Sequence, residues 1–276
     1  MILETGTRAA VPLPEFSQQL PLAGPMDEIG FRRFGILRQD LDVDFSTSNR
    51  AALGTRLLEQ CTVDLRGSLP AEFFEELSVG KRIECLLFLA TGSASANLSF
   101  PFKCSGCGEE LELELSLDEI SSLQRAADAT EVIAVGVGDR WVELRKTSGR
   151  DQSAWYGEVY SDEYDATARM ITRLMTDPID VAQLGREELD AIDAAMDESD
   201  PLVNFTCGVD CLECGTANVY EVDLFEAALG MLERQQQQAV VMVHRLASRY
   251  HWSEEEIFAI PVRRREQYLE LIGAKG

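Results

Sequence analysis

The residues best suited to chemistry in this chain are its seven cysteines: Cys61, Cys85, Cys104, Cys107, Cys207, Cys211 and Cys214. Four of them form two C-x-x-C pairs, each followed directly by glycine. These are Cys104-Ser105-Gly106-Cys107-Gly108 and Cys211-Leu212-Glu213-Cys214-Gly215. A C-x-x-C turn brings two thiolates onto one ion, and the glycine after it permits the tight backbone that points amides at sulfur. One such knuckle supplies two ligands, whereas structural zinc takes four in a tetrahedron. The expected zinc ligands are therefore Cys104, Cys107, Cys211 and Cys214. Cys207 offers an alternative, because Cys207-x-x-x-Cys211 puts a third thiol beside the second knuckle and Cys207 could replace Cys211. Only Cys211 and Cys214 repeat the C-x-x-C-Gly pattern. About a hundred residues separate the knuckles, against ~15–20 in a compact ribbon. Loop-closure cost grows slowly with length, so a split site is tolerable.

Other uses of the cysteines fit less well. A redox C-x-x-C opens a helix after a strand, whereas both pairs here run into alternating strands. Catalytic zinc needs an open coordination position, and four thiolates leave none. An odd count argues against a disulfide framework. Cys61 and Cys85 fall on apolar helix faces and read as core residues. The two histidines, His244 and His251, read as structural. The sequence has no H-E-x-x-H, Walker loop, G-x-G-x-x-G or G-x-S-x-G. No enzymatic activity is expected.

The elements that must position the cysteines follow from periodicity. A helix is expected over Asn49–Cys61, a second from Pro70 with an acidic first turn, and a third over Lys81–Ala90. Strands at Leu98–Lys103 and Glu109–Leu117 flank the first knuckle, with Leu111, Leu113 and Leu115 alternating against glutamates. Ser116 and Glu119 have capping-box spacing. Strands at Glu131–Val137 and Arg140–Lys146 meet at Gly138-Asp139. Asp162 caps a helix over Tyr164–Met175 followed by Pro178, and another helix spans Arg186–Met196. The second knuckle repeats the plan of the first: strand, cysteines, glycine, strand, helix. A long helix over Leu224–Tyr250, a short one capped by Ser253 and a last one from Pro261 through Ile272 complete the chain.

The expected fold class is α+β: helices flanking small β-hairpins, a split four-cysteine zinc-ribbon-like site joining two halves, and a helical C-terminus. Four segments are expected. Residues 1–45, punctured by Pro12, Pro14, Pro21 and Pro25, form an extended or flexible arm. Residues 46–128 are a helical segment with the first knuckle and hairpin, 129–200 a β-rich insertion plus helices, and 201–276 the second knuckle with the C-terminal helices.

Charge narrows the partners. The formal net charge of −23 repels nucleic-acid phosphates and anionic membranes. No apolar run reaches the ~18–20 residues of a membrane span, and Met1–Gly24 lacks a basic start followed by an apolar run. A cytoplasmic protein is expected. Arg263, Arg264 and Arg265 form a basic run on this acidic chain. Together with Trp252 and Tyr268 they are the candidate partner-binding residues.

The C-terminal stretch carries a resemblance. Val243-His244-Arg245-Leu246-Ala247, Tyr250-His251-Trp252-Ser253-Glu254-Glu255-Glu256-Ile257, Ile260-Pro261, Arg263-Arg264 and Tyr268-Leu269-Glu270-Leu271-Ile272 resemble a signature of baseplate hub and hub-assembly-chaperone proteins of contractile phage tails and related injection systems. Gly54-Thr55-Arg56-Leu57-Leu58, Lys81 to Leu89 and the Phe102 to Asp118 knuckle and strand are similar to the same family. The resemblance implies a structural or assembly role among other baseplate or tail proteins, in the cytoplasm during assembly or within the particle, with no cofactor beyond zinc. Read without it, the chain is an acidic zinc-ribbon protein with amphipathic C-terminal helices, and the alternative function is a cytoplasmic zinc-ribbon adaptor or regulator that binds another protein.

Overall fold

The structure, a computed structural model, describes residues 18–21, 28–63, 69–93, 96–138, 140–177 and 184–273. Strands β1 (Gln18–Pro21) and β2 (Glu28–Phe31) pair antiparallel, and β2 also pairs with the two-residue β3 (Thr62–Val63). A 3-10 turn at Arg38–Asp42 and helix α1 (Arg50–Cys61) lie between β2 and β3.

This region corrects the expectation of a loose arm up to residue 45. Ile29, Phe31, Phe34, Ile36 and Val43 are all buried. Arg32 grips the fully buried Asp40 through two hydrogen bonds of 2.8 and 2.6 Å, and the Gly35 and Leu37 amides and Gln60 Nε2 donate to the same carboxylate. A buried ion pair satisfied on this scale fixes the segment to the body. Hydrophobic periodicity does not reveal it, because the buried apolar side chains fall at irregular spacing around a polar knot. Residues 1–17 and 22–27, including Pro12, Pro14 and Pro25, lie outside the described residues.

The helix expected from Pro70 is a single turn, α2 (Phe73–Glu76). Helix α3 (Val79–Thr91) starts at Ser78, which accepts the Lys81 amide, and stops at Gly92 with φ of +66°. Residues 79–90 are buried on every face, as suits a helix that is apolar nearly all round. Its charged side chains are met inside. Lys81 Nζ lies 2.6 Å from Glu84 and 2.9 Å from Asp128, a residue of α4 (Leu117–Asp128). Arg82 donates to the Phe74 and Ala51 carbonyls at 2.7 Å each.

Between α3 and α4 runs the first knuckle hairpin, β4 (Asn97–Lys103) with β5 (Glu110–Ser116), in register from Asn97↔Ser116 to Lys103↔Glu110. The Ser116–Glu119 capping box launches α4 as expected. A second hairpin follows, β6 (Val132–Val137) with β7 (Arg140–Arg145). After it come α5 (Gly149–Trp155), α6 (Glu163–Leu174) and α7 (Arg186–Ser199). Among the described residues, the segment read as a β-rich insertion plus helices holds one hairpin and three helices. Helix α5, opened by Ser148 and Asp151, is an addition to the sequence reading. Asp139 and Pro178 lie outside the described residues.

The third hairpin, β8 (Thr206–Asp210) with β9 (Ala217–Glu221), carries the second knuckle. Helices α8 (Leu224–Tyr250), α9 (Glu254–Ala259) and α10 (Val262–Gly273) close the chain. The fold is α+β, with the four-cysteine cluster joining its halves. The main core packs α1, α3 and α8 together through residues such as Leu57, Leu86 and Leu229. A smaller core joins β6 and β7 to α6 and α7 through Val135, Leu144, Ile171 and Ile192. Among the described residues no helix is long and apolar enough to cross a membrane.

Candidate metal centre

Each knuckle is the turn of its hairpin, and the two share one hydrogen-bond scheme. The Cys104 amide donates to Glu109 O at 2.8 Å and the Gly108 amide to Cys104 O at 2.9 Å. The Cys211 amide donates to Thr216 O at 2.9 Å and the Gly215 amide to Cys211 O at 2.8 Å. Gly108 and Gly215 have φ of +77° and +71°, the left-handed conformation that glycine adopts without a Cβ penalty. Matching spacing in the sequence thus becomes matching backbone geometry.

The hairpins face each other so that the thiols interleave. Cys104 Sγ lies 3.6 Å from Cys214 Sγ, and Cys107 Sγ lies 3.7 Å from Cys211 Sγ. All four sulfurs fall within 4.8 Å of one another. Cys104 and Cys211 are buried, while Cys107 and Cys214 reach the surface. The arrangement is compatible with a metal ion held by four thiolates. Among the described residues no other group of three or more His, Cys, Asp or Glu side chains converges in this way.

The thiols feel opposing forces. The Cys107 amide, helped by the Gly106 amide 3.4 Å from the sulfur, draws the Cys104 thiol down to about 6. At Cys107 the Glu109 amide also favours the thiolate, but the sulfurs of Cys214, Cys211 and Cys104, together with burial, push it up to about 12. The Thr216 hydroxyl, 3.2 Å away, and the Thr216 amide pull the Cys214 thiol down. Backbone amides thus favour the thiolates of Cys104 and Cys214, while the neighbouring sulfurs oppose ionisation of Cys107. A cation at the centre removes that conflict.

One residue that the sequence reading did not single out binds the two knuckles together. Asn218 is 4% exposed. Its Oδ1 accepts from the Ser105 amide and hydroxyl at 2.8 Å each, and its Nδ2 donates to the Thr216 and Val209 carbonyls, with Cys104 Sγ at 3.7 Å. Tyr220 adds a second tie. Its ring stacks on Phe102 at 4.1 Å and its hydroxyl donates to Lys103 O at 2.8 Å. The knuckles meet so closely that a Cβ on Gly106 would lie 2.4 Å from Thr216 Oγ1. The signal for Asn218 was an amide in the middle of a strand. Apolar alternation would instead face Val219 inward, and Val219 is 76% exposed.

The remaining cysteines are separate. Cys207 Sγ points to Tyr220 O at 3.7 Å and is not a member of the cluster. Cys61 and Cys85 are buried in the main core, as expected, and burial pushes the Cys61 thiol up to about 12.

The candidate partner-binding residues do not share one surface. Arg263 and Arg264 are exposed at the start of α10. Arg265 is not part of that outer face: it is 3% exposed, donates to Ile36 O at 2.9 Å and lies 5.0 Å from the centre of the Phe258 ring. The helical period turns the third arginine of the run inward. Trp252 stacks on Tyr250 at 4.5 Å and meets Tyr268 at 5.2 Å, so these rings close the C-terminal hairpin of α8, α9 and α10. His251 ends α8 with φ of +58°, and His244 is exposed on the same helix.

No protein-family model matches this chain, and neither a curated protein nor a solved structure matches it.

Proposed function

We propose that this chain is a non-enzymatic structural or assembly protein closed by one zinc ion, and that it serves in the baseplate or hub of a contractile injection machine. The observation that carries the zinc reading is the meeting of four sulfurs from two distant hairpins. A tetrahedron with Zn–S bonds of ~2.3 Å has S···S edges of ~3.8 Å, beside the 3.6 and 3.7 Å of the facing pairs. Cys104, Cys107, Cys211 and Cys214 would hold the ion. Its chemistry there is to neutralise crowded thiolates and so convert binding free energy into folding free energy. Four protein sulfurs fill the tetrahedron, which favours a structural role over a catalytic one.

The assembly reading rests on the resemblance of residues 50–120 and 200–273 to hub and hub-chaperone proteins. Arginines at the start of α10 that are exposed and without an ion pair among the described residues, on an acidic chain, are in keeping with protein partners. They fit an adaptor bound to some other acidic protein equally well. Native mass spectrometry of freshly purified protein is expected to show one zinc per chain, and absence of stoichiometric metal ends the zinc reading. A pull-down from the native host is expected to recover sheath, tube or spike proteins. Recovery of an unrelated acidic partner favours the adaptor instead.

A further inference from the structure

Three arginines are nearly or fully buried among the described residues, and they are served differently. Arg32 has the carboxylate of Asp40. Arg82 has two carbonyls at 2.7 Å and no carboxylate, and its Nε, like that of Arg265, has no partner, but it does not line the cavity that Arg265 borders. Arg265 has one carbonyl, that of Ile36 at 2.9 Å, the Met242 thioether 4.0 Å from Nη1, and the Phe258 ring 5.0 Å away. Its Nε is buried with no partner. A guanidinium carries five N–H donors, so most of this cation's hydrogen-bonding capacity is unmet. Among the described residues no carboxylate oxygen lies within ion-pair distance of it. Glu266, the neighbouring acid, is half exposed and lies 3.9 Å from Arg33 instead.

A buried cation without an anion costs several kcal/mol, and this one borders a cavity. Between the turn at residues 33–36 and helices α8 and α10 lies a space of about 150 Å³. Its apolar wall includes Phe34, Ile36, Val262 and Leu269; Arg33 and Glu266 offset one another at its rim, so Arg265 leaves it with a net positive charge. A cavity of that size admits a benzene-sized group. Met242 lines the same space with its sulfur 4.0 Å from Nη1, and a thioether on three rotatable bonds is readily displaced.

We infer that this cavity binds a carboxylate bearing a compact apolar group, its oxygens replacing Met242 as partners of Arg265 and its apolar part resting on Phe34 and Leu269. The acid comes either from a partner protein's side chain or terminus, or from a free small molecule. Binding at this cavity does not depend on the assembly reading.

The test uses the full zinc-loaded chain with phenylacetate, and phenylacetamide as its neutral counterpart. Calorimetry or NMR titration is expected to show saturable phenylacetate binding, with the amide weaker by about tenfold or more, the worth of a charge-assisted hydrogen bond. Arg265→Met is expected to abolish the preference for the acid. Because that variant risks misfolding, Leu269→Trp is the second: it fills the space, leaves the arginine in place and is expected to abolish binding with zinc content unchanged. Failure of native protein to bind phenylacetate, equal binding of the amide, or binding retained in Leu269→Trp overturns the inference. If Leu269→Trp also loses its captured partner, the carboxylate belongs to that partner. Normal capture with lost phenylacetate binding assigns it to a free acid. Capture of baseplate proteins by a chain that never binds phenylacetate leaves the assembly reading standing without the cavity.

Discussion

Helix α8 separates two sites of opposite construction. Before its first turn stands the cysteine centre, where Asn218 meets Ser105, Thr216 and Val209 and amides point at sulfur. Beyond its last turn stands the C-terminal hairpin, closed by stacked rings, where Arg265 Nε has no partner. The centre spends its polar groups on itself and links segments far apart in sequence. The hairpin is built from local signals, the Ser253–Glu256 capping box and the Pro261 stop, and leaves donors unmet. The contrast teaches where to look for binding. A polar network satisfied internally holds a fold, whereas a buried group left unsatisfied marks a place where something else supplies the partner.

The largest expected effect tests the first half of that contrast. Cys107→Ser removes one ligand and strands three thiolates. Stability should fall by several kcal/mol, because metal binding is folding free energy. Chelation of the native protein should give the same destabilised state. Cys207→Ala, which changes a sulfur outside the cluster, should leave metal content intact. Chemical denaturation with parallel metal analysis reads all three. Equal losses in Cys107→Ser and Cys207→Ala would argue against a structural centre.

A smaller effect is expected one step out from the sulfurs. Asn218→Ala leaves the Ser105 amide unpaired and frees the facing knuckle, at a cost of about 1–3 kcal/mol. Metal affinity should drop by roughly 10–100-fold, the usual effect of losing a residue that orients ligands. Competition with a chromogenic chelator measures the affinity. Unchanged affinity would make Asn218 a packing residue only.

The same contrast governs what the sequence discloses. C-x-x-C-Gly is legible because the knuckle needs fixed spacing and a left-handed glycine, and both are written locally. Capping boxes at Ser116 and Ser253 are legible for the same reason. Asn218 escapes notice because its value depends on Ser105, more than a hundred positions away. The packing of residues 29–43 escapes because it rests on the Arg32–Asp40 pair and on apolar side chains at irregular spacing, not on a period. Arg265 looks like its two neighbours in sequence, and only the turn of α10 shows that it points inward.

Asp200 asks whether an unmet buried group always calls for a ligand. It is 5% exposed, and its Oδ2 accepts the Gly80 amide at 3.1 Å. Its Oδ1 and Gln124 Oε1 both lack partners and converge on Gly80, where a Cβ would lie 1.9 and 2.5 Å from them. Gln124 spends its amide on Asp128, so two acceptors face one another. A proton on Asp200 resolves the conflict. Burial raises this carboxyl, with Asp128 adding to the rise, against lowering by the Gly80 amide, Lys146 and, least, the Gln124 side chain. A folded pKa above the unfolded value means that the native state holds the proton more tightly. Stability is therefore lost as pH rises above the ordinary carboxylate value of about 4. Asp200→Asn mimics the protonated form. It should stabilise the protein at pH 8 and by less at pH 5, read as the difference from native protein in denaturant midpoint at each pH. No gain at pH 8 would mean that Asp200 is ionised and its partner lies elsewhere.

The smallest effect on stability is expected at the surface of the hairpin, where the contrast is sharpest in charge. Several cations of the body meet acids: Arg38 with Glu254, Arg50 with Glu226, Arg150 with Glu72 and Glu76, Arg169 with Asp165. Others, such as Arg56, Arg140 and Arg186, stand exposed with no ion pair among the described residues. Arg263 and Arg264 are exposed and have no ion pair among the described residues, on a chain with 48 acidic residues and 25 basic ones. Exposed charges away from packed features contribute within about 0.5 kcal/mol to folding, so reversal of both should leave the melting temperature and the zinc content nearly unchanged. An arginine fork suits a partner's carboxylates, and such steering weakens as salt screens it. The double variant Arg263→Glu/Arg264→Glu should therefore lose capture of its partner, and the gap from native protein should widen as ionic strength falls. Pull-downs at two salt concentrations, beside a thermal melt and native mass spectrometry, separate docking from folding. If the variant enters assembled particles as well as the native chain at both salts, these two arginines are a solvated face, and the docking surface lies on another part of the molecule.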